Sequence, residues 1–182
     1  RTFARKKSFF SQGLVAHVSM AHPVCNRLGG HIESSAKDLG IEIVRGGTYI
    51  AMEGPQFSTI AESDLYRSWG CDVVGMTNMP EAKLAKEAEI CYVSVAMVTD
   101  YDCWHADLDN VTVEAMIKVL MDNADKAKSL VKSASSVIAS DETSSQCDCK
   151  FSLENAIITS PDHRDKQLVK KLEAVDKTQD TT

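Results

Sequence analysis

The 182 residues carry 20 Lys plus Arg against 26 Asp plus Glu, a formal net charge of -6 with histidines neutral, which argues against nucleic acid as the main partner. Hydrophobic residues make up 43% and charged ones 25%, ordinary globular usage that fits one domain or a large piece of one. The best apolar run, residues 90–98, is interrupted by Ser94 and falls short of the roughly 18 residues of a membrane span, so no membrane partner and a cytoplasmic location are expected.

The opening RTFARKKSFF is basic but leads into no apolar core, so a secretory signal is not expected, and the start at Arg1 reads as a chain cut at its front. Residues 14–20 read as a buried strand, and residues 24–39 as a helix closed by Gly40, a residue type favoured just past a helix end. Residues 41–52 are β-rich around Gly46 and Gly47. Thr59 followed by Glu62 forms a capping-box signature, which predicts a helix over 60–69 stopped by Gly70. The preceding turn, EGPQF, then delivers Gln56, Phe57 and Ser58 to a helix N-terminus.

Next come a strand over 71–76, a loop TNMP, a helix over 81–88 with Pro80 in its first turn, and an apolar strand over 90–99. After the loop DYDCWHADLDN, near-helical spacing of Ala115, Val119, Ala124, Ala127 and Val131 predicts a long helix over 113–134. Alternating strands and helices specify an α/β sheet with helices on its faces, in which ligands collect beyond strand ends. Residues 140–146 read as a flexible loop, the remainder as a helix packing back, and residues 176–182 as a frayed tail, all within a single domain over 1–182. Neither a Walker loop nor G-x-G-x-x-G occurs among the nine glycines, so ATP and NAD lose their usual support and no cofactor is expected.

Six cysteines are present, and Cys71, Cys91 and Cys103 lie in or beside apolar text, where small buried thiols are expected. Cys147 and Cys149, in SSQCDCK, could make a strained local disulfide, a redox pair or half a metal site. No second Cys or His pair stands at zinc-finger spacing, so no metal is expected.

The chemistry concentrates in VSVAMVTDYDCW, where an apolar run ends in two aspartates one residue apart. In extended chain, side chains at i and i+2 share a face, so Asp100 and Asp102 are expected to point together past the strand end. Burial and mutual repulsion would raise at least one carboxyl pKa, leaving a neutral acid beside an anion. One donor and one acceptor complement the N7 and N6 edge of adenine, whereas a 6-oxopurine would set acceptor against acceptor. A solvated acidic turn is the bland alternative. A calcium loop is weaker still, because it needs Gly where Trp104 or His105 falls. EGPQFS adds an aromatic able to stack on a base, and GMTNMP a hydroxyl beside an apolar Met, although a residue like Phe57 is more often core and one like Thr77 more often a helix or turn cap.

EGPQFSTIAES, WGCDVVGMTNMPEAKLAKEAEICYVSVAMVTDYDCW and VAHVSMAHP resemble the trimeric purine nucleoside phosphorylase family, on the branch that cleaves S-methyl-5'-thioadenosine. The likeness covers about residues 1–131. It implies an α/β phosphorylase/hydrolase-like fold, a central mixed β-sheet flanked by helices with the leading strands missing. It also implies phosphate-dependent release of adenine and 5-methylthioribose 1-phosphate, in a homotrimer using inorganic phosphate as co-substrate and no metal. By the same resemblance Asp100 donates to N7 and Asp102 accepts from N6. Phe57 stacks on the base, Ser58 and Thr99 line its site, Met76 lies along the ribose and Thr77 touches phosphate. Val111, Val113 and Met116 wall the methylthio group, and His17 is lent across the trimer interface.

The family's glycine-rich phosphate loop and arginine-bearing segment are not found in these residues, so the chain alone is expected to be inactive or feeble, the C-terminal two-thirds of the family fold. CDCKFSLENAIIT resembles the C-terminal region of some prokaryotic members in which such cysteines form disulfides, and the sequence leaves their oxidation state open. The alternatives are a non-catalytic fragment or assembly subunit that binds adenine nucleosides, another purine nucleoside phosphorylase, or a hydrolytic nucleosidase.

Overall fold

Helix capping dictates the best-specified part of the fold. The Thr59 backbone N–H donates to Glu62 Oε2 at 2.8 Å while the Glu62 N–H donates to Thr59 Oγ1 at 3.2 Å, a reciprocal capping box that satisfies two orphan donors. The computed structural model describes residues 2–105 and 113–173, without the side chains of Val113, Ala115 and Met116. Its elements in order are α1 (Asn26–Asp38), β1 (Tyr49–Ala51), α2 (Ile60–Ser68), β2 (Val73–Gly75), α3 (Glu81–Glu87), α4 (Val113–Ala139) and α5 (Lys166–Leu172). Short 3-10 turns lie at Asp102–Trp104, Glu142–Gln146, Asp148–Phe151 and Pro161–His163. No helix among the described residues is long and apolar enough to cross a membrane.

The chain divides into two compact units. One comprises Arg1–Phe3, Gly30–Thr77 and Val95–Ser140; the other comprises Ala4–Gly29, Asn78–Ser94 and Asp141–Thr182. In the first, β1 and β2 pair in parallel, with Tyr49 opposite Val73 and Ala51 opposite Gly75. Parallel neighbours need a crossover, and α2 supplies it. Within this ladder Gly75 leaves room for the Tyr49 side chain, whose hydroxyl end an added Cβ would displace. In the second unit, Phe10, Leu14, Leu153, Ala156 and Leu172 form the core, and Leu14 and Leu153 are at most 1% exposed. Two buried carboxylates tie segments to it: Glu87 Oε2 accepts from the Phe9 N–H at 2.7 Å, and Glu89 Oε1 from the Leu153 N–H at 3.0 Å. Each carboxylate satisfies a backbone donor that folding removes from water.

The first three helices match their sequence signals within a few residues, but of the helix expected after residue 146 only Lys166–Leu172 forms among the described residues, behind two 3-10 turns, and strands are shorter. Residues 14–20 alternate in exposure and make only the isolated bridges Ser11 to Leu14 and Ala16 to Ile157, so the expected buried strand is a half-buried edge segment. The β-rich 41–52 region contracts to Tyr49–Ala51 because Gly46 and Gly47 hold φ of 89° and 104°. Residues 90–99 have no ladder partner among the described residues. α4 continues to Ala139, beyond the expected end at Ala134. Residues 142–146 fold into a 3-10 turn whose first N–H groups are met by Asp141, which accepts from the Thr143 N–H at 2.9 Å. The tail at 176–182 lies outside the described residues.

Candidate active site

Two neighbouring parallel strands bring their following loops side by side. β1 runs into Met52 and the EGPQFS turn, and β2 runs into Met76 and Thr77, so both loops lie where α/β sheets collect ligands. The Met52 N–H donates to Gly75 O at 2.9 Å, which extends the pairing past the strand ends. Gly54 holds φ 70°, and a Cβ added there would come within 2.5 Å of Met76 Sδ. Ser58 Oγ lies 3.7 Å from Met52 Sδ, at the approach to α2. Ser58 is thus placed against Met52, and Met76 against Gly54 of the neighbouring turn.

The third loop joins through Cys103, whose Sγ–H donates to Ser58 O at 3.5 Å. Thr99 Oγ1 donates to Asp100 Oδ2 at 2.7 Å, and the Asp102 backbone N–H donates to Asp100 Oδ1 at 2.8 Å. Both aspartates are half-buried. The route to this pairing differs from the extended-chain expectation: Asp102 sits at φ 59° and opens a 3-10 turn. An Asp side chain readily captures the N–H two residues on, and that local bond outcompetes strand geometry where no ladder holds the backbone.

Aromatic packing holds this turn. The Arg67 guanidinium of α2 lies 3.9 Å from the Trp104 ring centroid, and Tyr101 meets Trp104 edge-on at 6.0 Å. Burial, with the Glu62 and Asp102 carboxylates, pushes the Tyr66 phenol above its ordinary range. Sequence reasoning missed Cys103 and the Arg67–Trp104 stack, since neither has a local motif.

Other candidates are placed less directly. Phe57 is 76% exposed and Thr77 is exposed. His17 belongs to the other unit, exposed, with its backbone N–H on Ala156 O at 2.8 Å. Val111 lies outside the described residues, as do the side chains of Val113 and Met116 on the first turn of α4. An open apolar groove of about 530 Å³ lies elsewhere, lined by Met97, Ala124, Ala127, Lys128, Val131 and Lys132.

In the other unit, cysteines that look unrelated in sequence converge. The sulfurs of Cys25, Cys91, Cys147 and Cys149 all lie within 4.8 Å of one another. Cys91, expected as a small buried thiol, is only partly buried and clusters with three other cysteines; Cys25 and Cys149 lie too far apart in sequence to be paired from local spacing. Burial raises the Cys147 thiol, but the Cys149 backbone N–H and the Arg27 guanidinium outweigh it and bring the group down to about 6. Burial and the neighbouring Cys25 push Cys149 up to about 12, with Lys86 opposing.

Residues 1–136, which hold this parallel β-α-β crossover and the aspartate turn, match the family described as the Phosphorylase superfamily. The chain belongs to that superfamily. Among its relatives, it is similar to the S-methyl-5'-thioadenosine phosphorylase of Rhodospirillum rubrum, 61% identical over 96% of this chain and 60% of that protein. It is 57% identical to that of Bradyrhizobium diazoefficiens over the same shares. Of solved structures, methylthioadenosine phosphorylase sourced from an antarctic soil metagenomic library superposes with a TM-score of 0.87 at 40% identity, over 96% of this chain and 61% of that one. Methylthioadenosine phosphorylase from Schistosoma mansoni in complex with adenine gives 0.79 at 25% identity, over 87% and 63%. The α/β phosphorylase fold is therefore shared. The chain spans about 60% of the length of the curated relatives it matches.

Proposed function

We propose that this chain supplies the base- and ribose-binding part of a phosphorylase that converts S-methyl-5'-thioadenosine and phosphate to adenine and 5-methylthioribose 1-phosphate. The observation that carries this reading is 61% identity to the Rhodospirillum rubrum enzyme across 96% of the chain. Phosphate oxygen attacks the anomeric carbon, the bond to N9 breaks, and its electron pair passes into the purine. Asp100 delivers a proton or strong hydrogen bond to N7, where that charge accumulates, and Asp102 accepts from the N6 amine. Phe57 stacks on the base, Ser58 and Thr99 line its site, Met76 lies along the ribose and Thr77 meets phosphate. Val111, Val113 and Met116 wall the methylthio group, and His17 reaches it from a neighbouring subunit of a homotrimer.

The testing experiment follows adenine release from methylthioadenosine by the full-length protein, with and without phosphate. Release that requires phosphate is expected; equal release in phosphate-free buffer would identify a nucleosidase instead. A second reading is a binding or assembly subunit without turnover. Calorimetry of the 182-residue chain separates the two: heat on adding methylthioadenosine with no adenine formed, while the full-length protein also forms none, would establish the second.

A further inference from the structure

We propose that Cys25, Cys91, Cys147 and Cys149 form a structural site for one zinc ion bound by four thiolates, apart from the candidate active site. Cys147 Sγ lies 3.6 Å from Cys25 Sγ and 3.5 Å from Cys91 Sγ, and all four sulfurs are mutually within 4.8 Å. A tetrahedral zinc ion with bonds of about 2.3 Å sets its sulfurs about 3.8 Å apart. Cys147 is thus nearly equidistant from two partners, which suits a common central ion better than a disulfide that must select one. A polynuclear iron–sulfur cluster spreads its cysteines around several irons, so this spacing fits a single ion.

The surroundings are those of anionic sulfur. The Leu28 backbone N–H donates to Cys25 Sγ at 3.4 Å, Arg27 Nη2 to Cys91 Sγ at 3.4 Å, and Lys86 Nζ to Cys149 Sγ at 3.9 Å. Cys147 receives the Cys149 backbone N–H. Every sulfur therefore has a donor turned toward it, the shell that orients metal-bound thiolates. Four thiolates on a divalent cation leave a charge of about −2, which Arg27 and Lys86 face. Arg27 is itself held by an ion pair with Asp141.

The ligands come from three stretches: the approach to α1, the segment after α3, and the 3-10 turn Asp148–Phe151 with its preceding residue. One ion would therefore fasten three parts of a single unit. Cys25 and Cys149 are 4% and 5% exposed, which shields the bonds from solvent.

The test uses the full chain grown with zinc and purified in chelator-free buffer. Mass spectrometry of metals should find about one zinc per chain. Of the six thiols, only Cys71 and Cys103 should then react before denaturation, and an organomercurial should release zinc as the other four titrate. The Cys147→Ser/Cys149→Ser variant should lose nearly all the metal. Because that variant could misfold, the unsubstituted chain stripped and reloaded with Co²⁺ gives a second readout: thiolate charge-transfer bands with the visible spectrum of tetrahedral cobalt. Zinc far below one per chain, iron in its place, disulfides among these four residues, or octahedral cobalt overturns the proposal.

Discussion

The backbone N–H of Asp102 donates to Oδ1 of Asp100 at 2.8 Å, so the two aspartates are linked through main chain. Thr99 fills the other oxygen of Asp100 at 2.7 Å. Asp100 is thereby held by its own partners, and on the proposed reading a group so held needs no reorganisation at the moment of reaction.

Replacing Asp100 by Asn keeps the shape but removes the transferable proton. In the full-length protein, Asp100→Asn should lower kcat/KM for methylthioadenosine by about 10² or more, the scale of general-acid help. Activity on 6-oxopurine nucleosides should fall less. Steady-state kinetics on both substrates checks this, and an unchanged substrate ranking would refute the N7 assignment.

Asp102 combines a left-handed backbone with its carboxylate, at φ 59°. Asp102→Gly removes the acceptor but suits the turn, whereas Asp102→Ala removes the acceptor and strains the backbone by about 1 kcal/mol. Both variants should lose preference for 6-aminopurines. In urea melts, the Ala variant should unfold at the lower midpoint; equal midpoints would show that this turn does not depend on the left-handed residue.

The capping box makes a pH-dependent contribution to α2. Hydrogen bonds from the Thr59 backbone and then its hydroxyl hold the Glu62 carboxyl below the ordinary glutamate range. A depressed folded value means the contribution is complete above the unfolded glutamate pKa and disappears as pH falls through the folded one. NMR titration of the Glu62 carboxyl should show the low value, and Thr59→Ala should return it to the ordinary range. Loss of the Thr59 cap should also cost about 1 kcal/mol of stability.

Gly13, at φ 95°, faces Asp165, whose Cβ would lie 2.9 Å from an added Cβ. Asp165 in turn caps α5 by accepting from the N–H groups of Gln167 and Leu168. Gly13→Ala should therefore destabilise the second unit by about 1–2 kcal/mol through backbone strain alone, with crowding added. The adjacent Leu14→Ala should cost about 2–5 kcal/mol by leaving a cavity in the core. Denaturant midpoints check both, and a neutral Gly13→Ala would mean the turn relaxes.

Legibility followed the range of the interaction that fixes each feature. The start of α2 was readable because Thr59 and Glu62 are three residues apart, and the end of α1 because Gly40 supplies φ 64°. Strand extents were not, because a strand exists only with its ladder: Val73–Gly75 has Tyr49–Ala51, while residues 90–99 have no such partner among the described residues. Asp100 and Asp102 could be paired from spacing, but the turn joining them could not, since it depends on a side chain capturing a backbone donor. Cys103 meeting Ser58, and the four converging sulfurs, are tertiary events with no local signature.

The second unit is woven from three separated stretches, Ala4–Gly29, Asn78–Ser94 and Asp141–Thr182, and its innermost layer pairs Phe10 and Leu14 with Leu153, Ala156 and Leu172. A ribosome emitting this chain must expose the early phenylalanines and Leu14 long before their later partners emerge. Nascent chains would therefore wait with greasy surface uncovered, a window in which holding factors matter and premature termination leaves an uncloseable intermediate.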